Sequence, residues 1–141
     1  METESVTHLS LVPYLCSLLF EIPQFRSDVL ARVRRITVAG GGLHPGGEAE
    51  MTRRFPGRYV PMYGLTEAST RVTCMPAGEA EGRPGSCGRP IPGVDVRIIG
   101  DDDRFLAPSE RGEVVVRGPN VMQGYFGDAA RTEEAFRGEW L

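Results

Sequence analysis

The stretch RRITVAGGGLHPGGEAEMTRRFPGRYVPMYG at residues 34–64 decides the fold class, because it predicts a strand, a turn, a helix and a second strand in succession. Residues 34–39 are rich in β-branched side chains and lead into three glycines, Gly40, Gly41 and Gly42. A helix is expected to open near Pro45, and residues 58–64 are predicted to form the next strand. This alternation is typical of a parallel α/β layer.

The residues upstream extend the same pattern. Residues 6–13 predict a short buried strand that closes at Pro13, and residues 13–22 predict a helix with proline in its first turn. A further short helix is expected after Ser27, which is a suitable N-cap. Residues 1–75 are therefore predicted to be part of a large α/β subdomain.

The character of the sequence changes after Met75. Residues 76–93 are rich in glycine and proline and show no periodicity. Residues 94–100 and 112–118 predict an antiparallel pair of strands, and Asp128 is a candidate N-cap for a final helix. Residues 76–141 are predicted to be the start of a small antiparallel β-subdomain, truncated at its end.

Composition narrows the classes of protein. The 141 residues carry a net charge of −3, which argues against a nucleic-acid partner. The longest apolar run, at residues 9–22, is interrupted and too short for a membrane span, and the acidic N-terminus does not predict a signal peptide. Three distant cysteines, Cys16, Cys74 and Cys87, favour reduced thiols and a cytoplasmic location.

The five residues YGLTE, Tyr63 to Glu67, combine an aromatic ring, a hydroxyl and a carboxylate at the end of a predicted strand. In open α/β sheets ligands bind outside the carboxyl ends of the strands, where the glycine triplet also lies. The triplet matches neither the Rossmann nor the Walker pattern. Each feature has a structural alternative: a tight turn for the glycines, a buried ring for Tyr63 and a solvated helix-cap carboxylate for Glu67.

Several blocks of the sequence together resemble the adenylate-forming superfamily, which includes acyl- and aryl-CoA synthetases, firefly luciferase and the adenylation domains of peptide synthetases. The blocks are VTHLSLVPYL, ITVAGGGLHP, YGLTEAS, GSCGRPIPGVDVRII, GEVVVRGPNVMQGY and EAFRGEWL, in that order. They cover essentially the whole chain, and the resemblance implies that the large subdomain of residues 1–75 binds the nucleotide and the acyl group. Leu65 stands where peptide-synthetase domains usually have proline, which favours the acyl- or aryl-CoA synthetase branch.

The resemblance implies roles for the matched positions. Tyr63 would stack on adenine, the Thr66 hydroxyl would contact the α-phosphate, and the Glu67 carboxylate would hold magnesium. Thr66 and Glu67 are thereby implied as catalytic. The nucleotide-binding set it implies is Gly40, Gly41, Gly42, Tyr63, Gly64, Leu65 and Thr66. Gly124 and Tyr125 would be structural, with Tyr125 serving for packing.

The implied activity is that of an AMP-forming acid–thiol ligase, which uses ATP and Mg²⁺ to convert a small carboxylic acid to an acyl-adenylate and then transfers the acyl group to a thiol such as CoA. Two alternatives stay open: a non-catalytic nucleotide-binding or interaction module derived from the family, and the adenylation domain of a peptide synthetase.

The sequence contains no lysine, since all 16 basic residues are arginine. The family's phosphate loop with its lysine, its ribose-binding aspartate and the catalytic lysine of its C-terminal domain do not occur in these residues. The chain therefore resembles an internal fragment of a longer enzyme, completed by the missing portions of a parent chain, and is expected to be inactive alone.

Overall fold

The computed structural model describes residues 5–22, 31–44 and 46–141. The elements within these ranges are β1 (His8–Leu11), α1 (Pro13–Glu21), β2 (Arg35–Val38), α2 (Gly47–Arg54), β3 (Tyr59–Tyr63), β4 (Thr73–Cys74), β5 (Arg89–Pro90), β6 (Asp95–Ile99), β7 (Glu113–Arg117) and α3 (Ala129–Ala135), with 3-10 turns at Thr66–Ala68 and Ala80–Gly82. The predicted helix starts at Ser27 and Pro45 lie outside the described residues.

Five strands form one sheet in the order β1-β2-β3-β4-β5. Strands β1, β2 and β3 are parallel, with Leu11 opposite Val38 and Val38 opposite Pro61, whereas β4 runs antiparallel to β3. Strands β6 and β7 form a separate antiparallel pair in which Val96 lies opposite Val116. The prediction of an α/β chain with a parallel layer followed by antiparallel strands is confirmed.

Contacts along the chain divide it into two compact units. The first unit is Met1–Tyr63 with Thr73–Arg89, and the second is Gly64–Val72 with Pro90–Leu141. The division follows contacts, so a short segment after β3 belongs with the C-terminal strands. The predicted boundary at residue 75 stays a prediction.

Helix α2 covers part of the core of the first unit. Its first turn carries Glu48 and Glu50 and its last turn Arg53 and Arg54, an arrangement that complements the helix dipole. Met51 on its inner face is completely buried. The core around it consists of Cys16, Val33, Ile36, Val38, Met51, Phe55 and Tyr59.

The prediction for β1 is wrong in one respect. Its residues alternate between exposed and half-buried, so β1 is not the buried strand expected from residues 6–13. The reason lies in its position, because β1 is the first strand in the sheet order and, among the strands that the structure describes, pairs with β2 alone.

In the part of the chain that the structure describes, no helix is long and apolar enough to cross a bilayer.

Candidate active site

The glycine triplet follows the carboxyl end of β2 in the first unit. Gly40 and Gly41 have φ angles of 89° and 150°, which L side chains rarely adopt. A Cβ at Gly40 would be 3.6 Å from Val12 Cγ1, an ordinary contact, so backbone conformation rather than space favours glycine there. The turn therefore lies beside the start of α1, and the Ala39 N–H donates to the Leu11 carbonyl at 3.2 Å.

Tyr63 is the last residue of β3, the strand next to β2. Because β2 and β3 are parallel, Tyr63 and the glycine turn lie at the same edge of the sheet. The ring is half-buried. The first unit thus brings Gly40, Gly41 and Gly42 to the strand ends where Tyr63 lies.

The remaining predicted residues, Gly64 to Glu67, belong to the second unit. A Cβ at Gly64 would lie 2.3 Å from the Thr70 carbonyl oxygen, so the backbone closes tightly on itself at this point. Leu65 is extended, with φ −144° and ψ 159°, and Thr66 begins the 3-10 turn with its side chain exposed. The turn thus presents the Thr66 hydroxyl and the Glu67 carboxylate on a compact loop.

Ser69, directly after this turn, has an unusual backbone conformation. Its φ of 68° and ψ of 170° lie in a region that glycine favours and that costs other residues roughly 1–3 kcal/mol. Such a conformation persists only where surrounding contacts over-determine it. The two residues before Ser69, Glu67 and Ala68, are held in this way, because their backbone carbonyls accept hydrogen bonds.

The segment Asn120 to Tyr125 makes three hydrogen bonds to Glu67 and Ala68. The Met122 N–H donates to the Glu67 carbonyl at 2.7 Å, and Asn120 Nδ2 donates to the Ala68 carbonyl at 2.6 Å. The Tyr125 hydroxyl donates to Glu67 Oε1 at 2.8 Å. This bond to the carboxylate is the main cause that raises the pKa of the Tyr125 hydroxyl.

The geometry does not match a helix-cap carboxylate at Glu67. No side-chain capping bond is made at the 3-10 turn, and the carboxylate instead receives the phenolic O–H of Tyr125. Glu67 is half-buried, and among the described residues its Oε2 has no hydrogen bond. One carboxylate oxygen is therefore directed to a protein donor and the other is available.

Such a carboxylate fits a magnesium ion. Mg²⁺ prefers hard oxygen ligands and is usually held by one or two carboxylates, with waters and substrate phosphates completing its coordination. Across residues 5–22, 31–44 and 46–141, no group of three or more histidine, cysteine, aspartate or glutamate side chains could form a protein-only metal site. Glu67 is a carboxylate of the kind that such a magnesium site uses.

The sequence did not predict the roles of two residues of this region. Tyr125 was expected to serve for packing, but its side chain is 38% exposed and its hydroxyl binds a carboxylate, so that expectation is wrong. Asn120 was not singled out at all. No periodicity links either residue to Glu67; a tyrosine and an asparagine in the block GPNVMQGY were the only signals available.

Comparison with known proteins identifies the class. Residues 1–126 match the family model described as AMP-binding enzyme, and the chain belongs to this family. It is 35% identical over 144 aligned residues to a feruloyl-CoA synthase from an Amycolatopsis species, covering 100% of this chain and 28% of that protein.

Solved structures agree with this assignment. The o-succinylbenzoate CoA synthetase of Bacillus subtilis has a TM-score of 0.88 and 28% identity, with 99% of this chain and 28% of that one covered. An amide bond synthetase of Marinactinospora thermotolerans has a TM-score of 0.88 and 31% identity, with 99% and 28% covered. The chain thus spans about 28% of the length of these relatives.

Proposed function

We propose that the chain is part of an ATP-dependent, AMP-forming acid–thiol ligase that activates a carboxylic acid and transfers its acyl group to a thiol such as CoA. The observation that carries the proposal is the placement of the sequence YGLTE. Tyr63 lies with the glycine turn at the carboxyl edge of parallel strands, and Glu67 is a half-buried carboxylate with one available oxygen.

The relatives support the coarse part of the proposal. A CoA synthase and a CoA synthetase are among them, and the Bacillus subtilis enzyme has been solved with AMP and with its acyl-adenylate intermediate. One of the solved relatives is an amide bond synthetase, so the family similarity alone does not select a CoA ligase. CoA is our proposed acceptor because Leu65 replaces the proline usual in peptide-synthetase domains.

The proposed reaction has two steps. The carboxylate oxygen of the acid attacks the α-phosphorus of ATP, and pyrophosphate leaves with the bonding electrons to yield the acyl-adenylate. The thiolate of the acceptor then attacks the acyl carbonyl carbon, and AMP leaves. In neither step does a side chain of the protein form a covalent bond to the substrate.

Each site residue has a role that matches its position. The backbone of Gly40 to Gly42 and the Tyr63 ring would bind the nucleotide at the strand ends, and Gly64 and Leu65 would shape the loop. The Thr66 hydroxyl would donate to an α-phosphate oxygen, where negative charge develops in the first step. Glu67 would hold Mg²⁺, which neutralises phosphate charge when bound.

The test of the reaction is pyrophosphate release by the whole protein that contains this chain, measured with ATP, Mg²⁺ and a panel of fatty, aryl and amino acids. We expect release that depends on one class of acid and formation of AMP. Formation of ADP and phosphate would overturn the assignment.

The test of Glu67 is the substitution Glu67→Gln in the same protein. It should slow adenylate formation by about 10²-fold or more, comparable with loss of one charge-stabilising group in a transition state, while binding of the acid changes little. Glu21→Gln, an identical change at an exposed position at the end of α1, is the matched control. An undiminished adenylation rate at low magnesium would contradict the metal-binding role.

A further inference from the structure

Tyr125 is placed to orient the carboxylate of Glu67. Its hydroxyl and Glu67 Oε1 are 2.8 Å apart and belong to the same compact unit, although 58 positions separate the two residues in sequence. A phenolic O–H bonded to a carboxylate is a charge-assisted hydrogen bond, which is shorter and stronger than a neutral one. It restricts the terminal rotation of the Glu67 side chain, which is otherwise broad.

The backbone of Tyr125 is itself held in place. Its N–H donates to Thr132 Oγ1 at 2.9 Å, and the Thr132 hydroxyl donates to the Asp128 carbonyl at 2.8 Å. Gly124 has a φ of 148°, and a Cβ there would lie 2.7 Å from Thr132 Cγ2. The tyrosine therefore extends from a turn whose backbone is tied to the first turn of α3.

The backbone of Glu67 is held by the same segment. The Met122 N–H donates to the Glu67 carbonyl, and the Asn120 side chain donates to the Ala68 carbonyl. These two hydrogen bonds connect the backbone at Glu67 to the segment that carries Tyr125. The segment Asn120 to Tyr125 thus holds both the backbone and the carboxylate of Glu67. A tyrosine that served only for packing would be buried and would not need a carboxylate as the partner of its hydroxyl. Tyr125 is exposed, and its hydroxyl binds Glu67.

We propose that Tyr125 is a positioning residue for the metal-binding carboxylate: its O–H occupies Glu67 Oε1 and thereby directs Oε2 to a divalent cation that accompanies the nucleotide. This inference rests on the proposed function for its choice of ligand. It adds a residue outside YGLTE that acts through Glu67 and does not touch the substrate. Partners of metal ligands typically contribute about 10–100-fold to metal affinity.

The experiment measures metal binding without the reaction. The whole protein that contains this chain is kept in excess over ATP, so that the nucleotide is protein-bound, and is titrated with Mn²⁺ without any carboxylic acid while free Mn²⁺ is followed by electron paramagnetic resonance. Tyr125→Phe should weaken Mn²⁺ binding by about tenfold, at the lower end of the usual range. Affinity for ATP in the presence of a chelator, measured by calorimetry, should be unchanged.

A double-mutant cycle separates positioning from general damage. In a Glu67→Gln background, Tyr125→Phe should have no further effect on Mn²⁺ affinity, because the group that it orients is gone. Tyr14→Phe, the same loss of a hydroxyl at a 70% exposed position on α1, is the matched control and should leave Mn²⁺ binding unaltered.

Three results would overturn the inference: Mn²⁺ affinity unchanged in Tyr125→Phe, an equal loss in the Glu67→Gln background, or no Mn²⁺ binding by the unsubstituted protein. Failure of the proposed function has a different outcome. If the cycle shows the expected coupling but no acid of the panel releases pyrophosphate, the ligase assignment is wrong and the positioning role of Tyr125 stands.

Discussion

Asn120 shows how much of the loop around Glu67 depends on a single side chain. Its Nδ2 donates to the Ala68 carbonyl at 2.6 Å, and Ala68 is completely buried. Its Oδ1 is buried without a hydrogen-bond partner among the described residues. The stabilising interaction of this amide is therefore the hydrogen bond that its nitrogen donates. A buried polar atom without a partner costs free energy, which the donated bond must offset.

Asn120→Asp should therefore destabilise the protein although the two side chains have the same shape. The substitution replaces the donor by an acceptor that faces a carbonyl oxygen, and it places a charge where the amide was buried. We expect the free energy of unfolding at neutral pH to fall by about 3 kcal/mol, measured by urea denaturation.

Gln123→Glu is the matched control for this change, since it makes the same amide-to-acid replacement at an exposed position three residues further along. It should leave the urea midpoint nearly unchanged. Equal effects of the two substitutions would show that added negative charge, and not the lost donor, accounts for the destabilisation.

Helix α2 carries the clearest electrostatic feature among the elements. Glu50 accepts hydrogen bonds from Arg53 at 2.7 Å and 2.9 Å and also pairs with Arg54. These two guanidinium groups lower the pKa of Glu50 to about 2, with the hydrogen bond from Arg53 as the largest cause. Because its pKa is lower in the folded state than in the unfolded one, Glu50 stabilises the folded state above its ordinary pKa.

We expect this contribution to disappear as the pH falls from about 4.5 to about 2. The measurement is the difference in thermal midpoint between the unsubstituted chain and Glu50→Gln, followed from pH 7 to pH 2. The unsubstituted chain should be the more stable at pH 7, and the difference should shrink toward zero near pH 2. A difference that is independent of pH would refute the role of the ion pairs.

Elements with a clear periodicity or a clear cap were predictable from the sequence. Residues 13–22 with their proline, the strand before Gly40 and the Asp128 cap, whose side chain accepts from the Arg131 N–H, all occur as expected. Strands β4 and β5 have two residues each and are too short for any period to appear. Their pairing arises from tertiary contacts such as the bond from Thr73 Oγ1 to the Cys87 carbonyl at 2.8 Å.

The candidate site was predictable only as far as local sequence carries it. A glycine triplet and YGLTE after two strands suffice to place Gly40 and Tyr63 at the same sheet edge. The partners of Glu67 depend on how the chain returns to the loop after β7, and no local propensity encodes that return. The hydrogen bond between Tyr125 and Glu67 could therefore be identified only from the three-dimensional structure.

At the scale of the whole molecule, we expect the 141 residues alone to show no ligase activity and at most weak ATP binding. Hydrogen bonds to charged groups contribute roughly 1.5–3 kcal/mol each. The family uses a phosphate loop, a ribose-binding aspartate and a catalytic lysine, and this chain contains no lysine. Losing several such contacts removes most of the roughly 8 kcal/mol that corresponds to micromolar affinity.

Titration calorimetry with ATP and Mg²⁺ on the 141-residue chain measures this directly. The comparison is a protein that spans the full length of the relatives, titrated under the same conditions. Micromolar affinity of the short chain, or pyrophosphate release above a protein-free control, would show that it is self-sufficient as a nucleotide-binding unit.

The separation of Glu67 and Tyr125 along the chain also determines when the site can be completed during protein synthesis. Ribosomes add about 5–20 residues per second, so the 58 positions between the two residues correspond to about 3–12 s of synthesis. During that interval the YGLTE loop has been made but the segment that orients its carboxylate has not. A nascent chain arrested between these two points would therefore carry Glu67 without its hydroxyl partner, and the site would be completed only after Tyr125 leaves the exit tunnel.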